Sequence, residues 1–236
     1  FEKPKNDFLQ HIADICKEKG IVLIFDEMWT GFRIALGGAQ EYFEITPDLA
    51  TYSKAIANGM PLAVLTGKKE IMQLAENDVF FYTTFGGEAL SLAAAKATND
   101  EYKNSNVISF LSVQGKKLKD GFIALCDLYD LESVKCIGYD WRSLVKIENS
   151  KDDPLLIKSY IQQEFIKRGI LWSGFHNISF SHTDEDINYT LNVYQDVLRL
   201  TKDAIESNTI SSSLLGEPVK PVFRKVDNFN IKPVEK

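Results

Sequence analysis

Residues 21–33 read IVLIFDEMWTGFR. Five apolar residues run without a break, and then aspartate, glutamate and glycine arrive together. A run of this length and character fits a strand covered on both faces of a parallel sheet. The sudden change at Asp26 marks the carboxyl end of that strand, where open α/β sheets gather their ligands. Upstream, NDFLQHIADICKEK (6–19) sets Phe8, Leu9, Ile12, Ile15 and Cys16 on one helical face, with Asn6 or Asp7 to cap it and Gly20 to end it. Downstream, LATY (49–52) and LAVLT (62–66) read as further strands, and 68–76 and 88–101 as helices. Strands that alternate with helices predict an α/β layer structure.

The pattern changes after residue 103. A long helical period covers 105–129, then SVKCIGYDWRSLVKIE (133–148) reads as antiparallel strands. A helix over 154–168, a strand at NISFSH (177–182) and an amphipathic helix from Asp184 to Glu206, capped by Thr183, complete the order. The expected organisation is therefore an α/β domain over 1–103, a smaller C-terminal α+β domain over 104–206, and a surface tail over 207–236. The chain opens on Phe1 in what reads as a helix already under way, so it is expected to be the later part of a longer polypeptide.

Composition removes several function classes. With 33 acidic against 27 basic residues the net charge is −6, which opposes a grip on nucleic acid or on an anionic membrane surface. Three scattered cysteines, Cys16, Cys126 and Cys136, make neither a disulfide framework nor a zinc site and point to a reducing, cytoplasmic setting. No apolar run reaches membrane-spanning length. The metal-hydrolase and nucleotide-binding motifs H-E-x-x-H, paired C-x-x-C, G-x-G-x-x-G and G-x-x-x-x-G-K-[ST] do not occur, so no metal is expected.

The second informative stretch is LATYSKAIANGMP (49–61). Lys54 stands just beyond a candidate strand and before a glycine-containing turn, as Asp26 stands beyond its own strand. Two groups of opposite charge at neighbouring strand ends can share one ligand site. Taken alone, the two are equally well explained as an ion pair.

The letters around them decide more. D-E-x-x-T-G-F-R (26–33), then G-G-A (37–39), T-P-D (46–48) and S-K-A-I-A-N-G-M-P (53–61) fall in register, and this stretch closely resembles the class III aminotransferases, most of all the glutamate-1-semialdehyde aminomutase branch. The similarity is strong over 8–100 and weaker to about 200. It implies the fold-type I architecture, part of a large domain with a mostly parallel sheet followed by a small α+β domain. It also implies pyridoxal 5′-phosphate (PLP) as cofactor, small-molecule amine and carbonyl substrates, and a homodimer. Under the resemblance Lys54 is the Schiff-base lysine and proton carrier, and Asp26 is the carboxylate paired with the cofactor's ring nitrogen. Met28 falls where the family packs a smaller branched residue on the cofactor ring; methionine can fill that space. Trp29 is unusual for its place. Thr84, in YTTFGGEA (82–89), matches the threonine that reaches the partner subunit's cofactor phosphate. Arg33 and Arg142 are candidates for a substrate carboxylate, because a guanidinium fork binds one in two places.

Family members are nearly twice this long. The glycine- and serine-rich phosphate loop and the ring-stacking aromatic that they place further upstream are expected before residue 1, and this chain alone is expected to bind cofactor weakly. The expected activity is amino transfer. Two alternatives stand beside it: the intramolecular aminomutase of tetrapyrrole synthesis, and a non-catalytic module of a larger synthetase. The aminomutase branch typically carries a glutamate in the segment that reads GILWSGFHNISFSH (169–182) here, and this one has no acid. Retention of both Lys54 and Asp26 argues against a non-catalytic module.

Overall fold

The computed structural model describes residues 3–80, 82–148 and 150–220. The chain divides into two compact units. The first is built from residues up to Lys117 together with Gly138–Ser143 and Asn177–His182, and the second from Leu118–Ile137, Leu144–His176 and the chain from Thr183 on.

In the first unit helix α1 (Phe8–Lys19) leads into strand β1 (Ile24–Asp26). Gly20 ends α1 in the left-handed region (φ 64°), its N–H returning to the carbonyl of Cys16. The expected N-cap is absent: Asp7 sits at the position with φ 56° and its side chain caps nothing. Short α2 (Ala39–Tyr42) precedes β2 (Leu49–Tyr52), a single 3₁₀ turn covers Lys54–Ile56, and β3 (Val64–Gly67) follows. Two one-turn helices, α3 (Lys69–Met72) and α4 (Leu74–Asn77), stand in place of the helix expected over 68–76. Helix α5 (Ala89–Asn104) is capped by the Glu88 carboxylate, which accepts from the amides of Leu90 (2.9 Å) and Ser91 (2.6 Å).

The sheet order is β1-β2-β3. β1 and β2 run parallel, with Asp26 opposite Thr51, whereas β2 and β3 run antiparallel, with Thr51 opposite Leu65. Asp48 fastens the entry to the sheet: its carboxylate accepts the amide of Leu23 (2.7 Å) and meets Lys68 Nζ at 2.6 Å. The Lys68 contact, helped by the Leu23 amide, holds the Asp48 carboxyl below the usual range. The expectation that 21–25 is covered on both faces is not met. Ile21, Val22 and Ile24 are exposed, and among the described residues β1 is an edge strand with a neighbour on one side alone. The apolar face of α1 is likewise uncovered at Phe8 and Ile15.

Helix α6 (Val107–Leu128) is followed by β4 (Val134–Tyr139) and β5 (Arg142–Ile147). The two-residue link Asp140-Trp141 makes these strands an antiparallel hairpin, as only such a pair can be joined so briefly. Helix α7 (Pro154–Lys167) starts with Asp153 as cap and Pro154 in its first turn. The expected strand over 177–182 is shorter and earlier, β6 (Phe175–Asn177), and the sheet order is β4-β5-β6. Residues beyond Asn177 turn instead, with the His182 amide bonded to the Ser179 carbonyl (3.1 Å) and the Ser179 amide to His182 Nδ1 (3.1 Å). Helix α8 (Asp184–Glu206) begins with a capping box in which Thr183 and Asp186 exchange bonds.

The second unit has the fuller core. Phe122, Phe165 and Tyr194 are fully buried, with ring centroids 4.7 Å (Phe122–Tyr194) and 4.5 Å (Phe165–Tyr194) apart. Beyond α8, α9 (Ile210–Ser213) buries Ile210, and the following chain binds α7 through Leu215 N to Gln163 Oε1 (2.7 Å) and Val219 N to Ser159 Oγ (2.8 Å). Residues 221–236 of the expected tail lie outside the described residues.

Candidate active site

The parallel pairing puts the ends of β1 and β2 side by side, and the two principal candidates lie there. Asp26 is the last residue of β1, and its carboxylate accepts the amide of Met28 at 3.0 Å. Lys54 comes two residues after the end of β2, on the first position of the 3₁₀ turn. Its backbone is left-handed (φ 50°), an unusual state for a residue with a side chain. Neighbours fix it there: Ala55 and Ala57 are buried, the Ser53 hydroxyl donates to the Leu62 carbonyl (2.6 Å), and the Asn58 amide returns to the Lys54 carbonyl (3.0 Å). Gly59, at φ 110°, then turns the chain in a conformation that favours glycine. Both Asp26 and Lys54 are exposed, and Met28 is half-buried.

Glu27 supports this loop. It is 1% exposed, and its carboxylate accepts the amides of Ala39 (2.8 Å) and Gln40 (2.9 Å) and the hydroxyl of Thr30. Its own amide bonds the Thr51 carbonyl (3.0 Å). Glu27 thus ties β2 and the start of α2 to the DEMWTGF loop. Gly38 (φ 84°) is required beside it, since an added Cβ would lie 2.4 Å from Glu27 Oε2. Tyr52 closes the other side, its hydroxyl donating to the Gly37 carbonyl (3.2 Å) and accepting from the Gln40 amide group.

Trp29 is the hub that sequence reading passed over. Lys54 Nζ lies 4.4 Å from its ring centroid, the Arg142 guanidinium carbon 3.3 Å, and that of Arg33 5.8 Å. Each contact of this kind stabilises by roughly 0.5–2 kcal/mol, depending on desolvation. Arg33 also donates to Asn177 Oδ1 (3.1 Å). Burial pulls the Arg33 guanidinium below its usual pKa, an effect partly opposed by Tyr102. Arg142 is lowered too, by burial first and then by the positive charge of Arg33. Three cations therefore meet at one indole, and two repel one another. The only hint in the sequence was that tryptophan is unusual at this place in the motif.

Thr84 lies elsewhere. With Ser53, Thr83, Gly86 and Gly87 it lines a cavity of about 880 Å³ that opens beside the lysine loop, and residues 84–87 form an exposed turn. His176 belongs to the core of the second unit, and burial lowers its pKa to about 4. Its Nε2 meets Tyr194 Oη at 2.6 Å, and Tyr194 also accepts from the indole N–H of Trp172. An indole only donates, so Tyr194 satisfies every donor by giving its own hydrogen to a neutral His176. Among the described residues no group of three or more His, Cys, Asp or Glu side chains is placed to hold a metal, and no helix is long and apolar enough to cross a membrane.

The comparisons with known proteins bear on this arrangement. The family model for class III aminotransferases matches residues 1–192. The 3-aminobutyryl-CoA aminotransferase of Cloacimonas acidaminovorans is 32% identical over 209 residues, covering 85% of this chain and 49% of that protein. The glutamate-1-semialdehyde 2,1-aminomutase of Alkaliphilus oremlandii is 32% identical over 212 residues, covering 83% and 48%. Among solved structures, the FumI protein of Sphingopyxis sp. MTA144, in its PLP internal aldimine form, superposes with a TM-score of 0.78 at 25% identity, covering 85% of this chain and 48% of that one. The chain spans about half the length of the curated relatives it matches. With a family model matched across most of its length and a fold shared with a PLP-bearing relative, the chain belongs to the class III aminotransferase family.

Proposed function

We propose that the protein to which this chain belongs is a PLP-dependent aminotransferase, and that Lys54 and Asp26 are its central residues. The observation that carries this reading is their joint placement at the carboxyl ends of two parallel strands, with the lysine amine over Trp29, three residues on from Asp26.

The residues present suit the cofactor. An amine, a carboxylate, an apolar side chain and a hydroxyl-lined cavity are the donor set that an aldehyde, a ring nitrogen, an aromatic face and a phosphate require. When bound, PLP supplies an aldehyde that condenses with amines and a ring that withdraws electrons from the adjoining carbon. Lys54 would hold the aldehyde carbon through Nζ and, once freed by the incoming amine, move a proton at the substrate carbon that bears nitrogen. Asp26 would keep the ring nitrogen protonated, and Met28 would pack on the ring face. Thr84 would offer its hydroxyl to the phosphate of a partner subunit, which requires a homodimer. Arg33 and Arg142 would orient a substrate carboxylate. Three scattered cysteines suit a reducing cytoplasm.

Amino transfer is favoured over the aminomutase reading by what faces Arg33. The 169–182 segment presents the neutral amide of Asn177 there, not a carboxylate. Incubation with PLP and borohydride should add a reduced pyridoxyl group to the peptide containing Lys54. A Lys54→Ala protein should take up none, and Asp26→Asn should be trapped yet turn over at least about 100-fold more slowly. Label on any other lysine, or turnover of an amine without an external carbonyl acceptor, would refute the assignment.

A further inference from the structure

Lys54 and Trp29 meet from two fixed anchor points. Lys54 leaves its turn from a backbone held at φ 50°. Trp29 rides on a loop closed on itself: the Gly31 amide returns to the Glu27 carbonyl (2.9 Å) and the Ile34 amide to the Thr30 carbonyl (3.1 Å). Between the two anchors lies the flexible stem of the lysine, whose ordering costs conformational entropy. Nζ nevertheless stands 4.4 Å from the Trp29 ring centroid, inside the distance at which an ammonium is attracted to a ring face. The ring stays 39% exposed, so core packing does not account for its place.

Two groups compete for a free lysine amine at these strand ends, the Asp26 carboxylate and the indole. Among the described residues Nζ has no carboxylate within ion-pair distance, and the Asp26 carboxylate accepts the Met28 amide instead (3.0 Å). The difference has a chemical consequence. A carboxylate would bind the ammonium through directed, charge-assisted hydrogen bonds and so occupy both partners at once. A ring face attracts the charge but takes no proton. It holds the amine in place and leaves Asp26 open.

We propose that Trp29 is a positioning residue for Lys54: its indole face seats the lysine amine whenever that amine is free, near Asp26 and not bound to it. In the amino-transfer reading the lysine is free twice, before cofactor arrives and after the incoming amine has released it. The role rests on that reading, whereas the seat rests on the geometry alone. Seating shortens the search of the amine for an aldehyde, because fewer stem conformations remain to be sampled. The contact also yields when the aldehyde arrives, since at a largely exposed side chain it is worth roughly 2–5-fold in population.

Two readouts test this, the first without cofactor. Reductive methylation of the full chain with isotope-labelled formaldehyde gives each lysine two labelled methyl groups and keeps its charge. The Lys54 methyl signal, assigned by its loss in Lys54→Arg, should lie upfield of the lysines that stand over no ring, through the ring current of the indole. In Trp29→Leu it should return to the position of those lysines, and in Trp29→Phe it should keep part of the shift. The second readout is the rate at which dilute PLP is trapped on Lys54 by borohydride, followed by the mass of the labelled peptide. Trp29→Leu should slow trapping by roughly 2–5-fold, and Trp29→Phe should restore most of that loss. No upfield signal in the unaltered protein, trapping in Trp29→Leu as fast as in the unaltered protein or faster, or equal slowing by Leu and Phe would each overturn the proposal. The signal is read on the unaltered protein, so it decides even where a variant does not fold. Trapping at Lys54 without the upfield signal removes the role of Trp29 and leaves amino transfer standing. The upfield signal without trapping at Lys54 removes amino transfer, and the positioning role with it, and leaves the seat as geometry alone.

Discussion

Removing the Glu27 carboxylate should loosen the turn that follows β1 while leaving the second unit untouched. Glu27 is 1% exposed and receives two backbone amides, Ala39 at 2.8 Å and Gln40 at 2.9 Å, besides the Thr30 hydroxyl. In Glu27→Ala these donors lose an acceptor that water cannot readily replace. A hydrogen bond to a charged group is worth about 1.5–3 kcal/mol. One carboxylate serves both amides, so the losses do not simply add, and about 3 kcal/mol is expected for the pair. Two compact units make a single unfolding midpoint a poor measure, so the assay is native-state amide exchange read residue by residue. Exchange at Ala39 and Gln40 should rise about 100-fold, at about 1.4 kcal/mol for each factor of ten. Glu27→Gln, which keeps one acceptor oxygen, should fall between. Gly38→Ala should mimic the loss, because its Cβ would displace the same carboxylate and its φ of 84° resists a side chain. If exchange at both amides in Glu27→Ala moves by less than about threefold, the role given to Glu27 as an internal tie is wrong.

Three further outcomes follow from the same coordinates. In α6, Gly115→Ala should destabilise by more than about 2 kcal/mol, since its Cβ would fall 1.8 Å from the Asp140 carbonyl oxygen, whereas Gly121→Ala should cost less because it meets the flexible end of Leu191; amide exchange along α6 in the two variants gives the order. His176 is held near pKa 4, below its ordinary 6.5, so the unfolded chain takes up a proton that the folded chain refuses. Stability of the second unit should therefore be full above about pH 6.5, fall by roughly 3 kcal/mol as pH drops to about 4, and then level; His176→Phe should flatten that slope in unfolding midpoints taken across the range. Phe165→Ala should cost about 3–5 kcal/mol, because the ring is fully buried against Tyr194 and Trp172, and denaturant unfolding of the second unit checks it.

Much of this was legible in the letters, for identifiable reasons. Helical periodicity placed α8 to the residue, its Thr183 cap included, and α7 to within one residue, while α5 runs three residues beyond the expected end. Registered motifs gave the family and so the fold. The cover over IVLIF was misjudged because an apolar run records what a strand would bury, not whether the described chain supplies a partner for each face. Strand β6 slipped two residues earlier because 177–182 satisfies its backbone in a turn built by Ser179 and His182, a local contest that alternating letters do not display. The meeting of Trp29 with Lys54, Arg33 and Arg142 joins positions up to 113 residues apart, from 29 to 142, and no local pattern announces such a meeting. Arg33 and Arg142 were named one at a time for their chemistry, and only the fold shows that they share an indole.

The left-handed backbone at Lys54 separates what the fold prefers from what the chemistry needs. A side chain at φ 50° costs about 1 kcal/mol or more over glycine, which occupies that region freely. The contact of the Lys54 amine with the Trp29 ring offsets part of that cost, and both glycine and alanine at this position lose it alike. Lys54→Gly should therefore leave a folded protein about 1 kcal/mol more stable than Lys54→Ala, while both lack the amine on which the proposed reaction depends. A position whose backbone would relax if its side chain were deleted carries a lysine nonetheless, and the ranking of two variants without the amine would make that tension visible without any substrate in the tube.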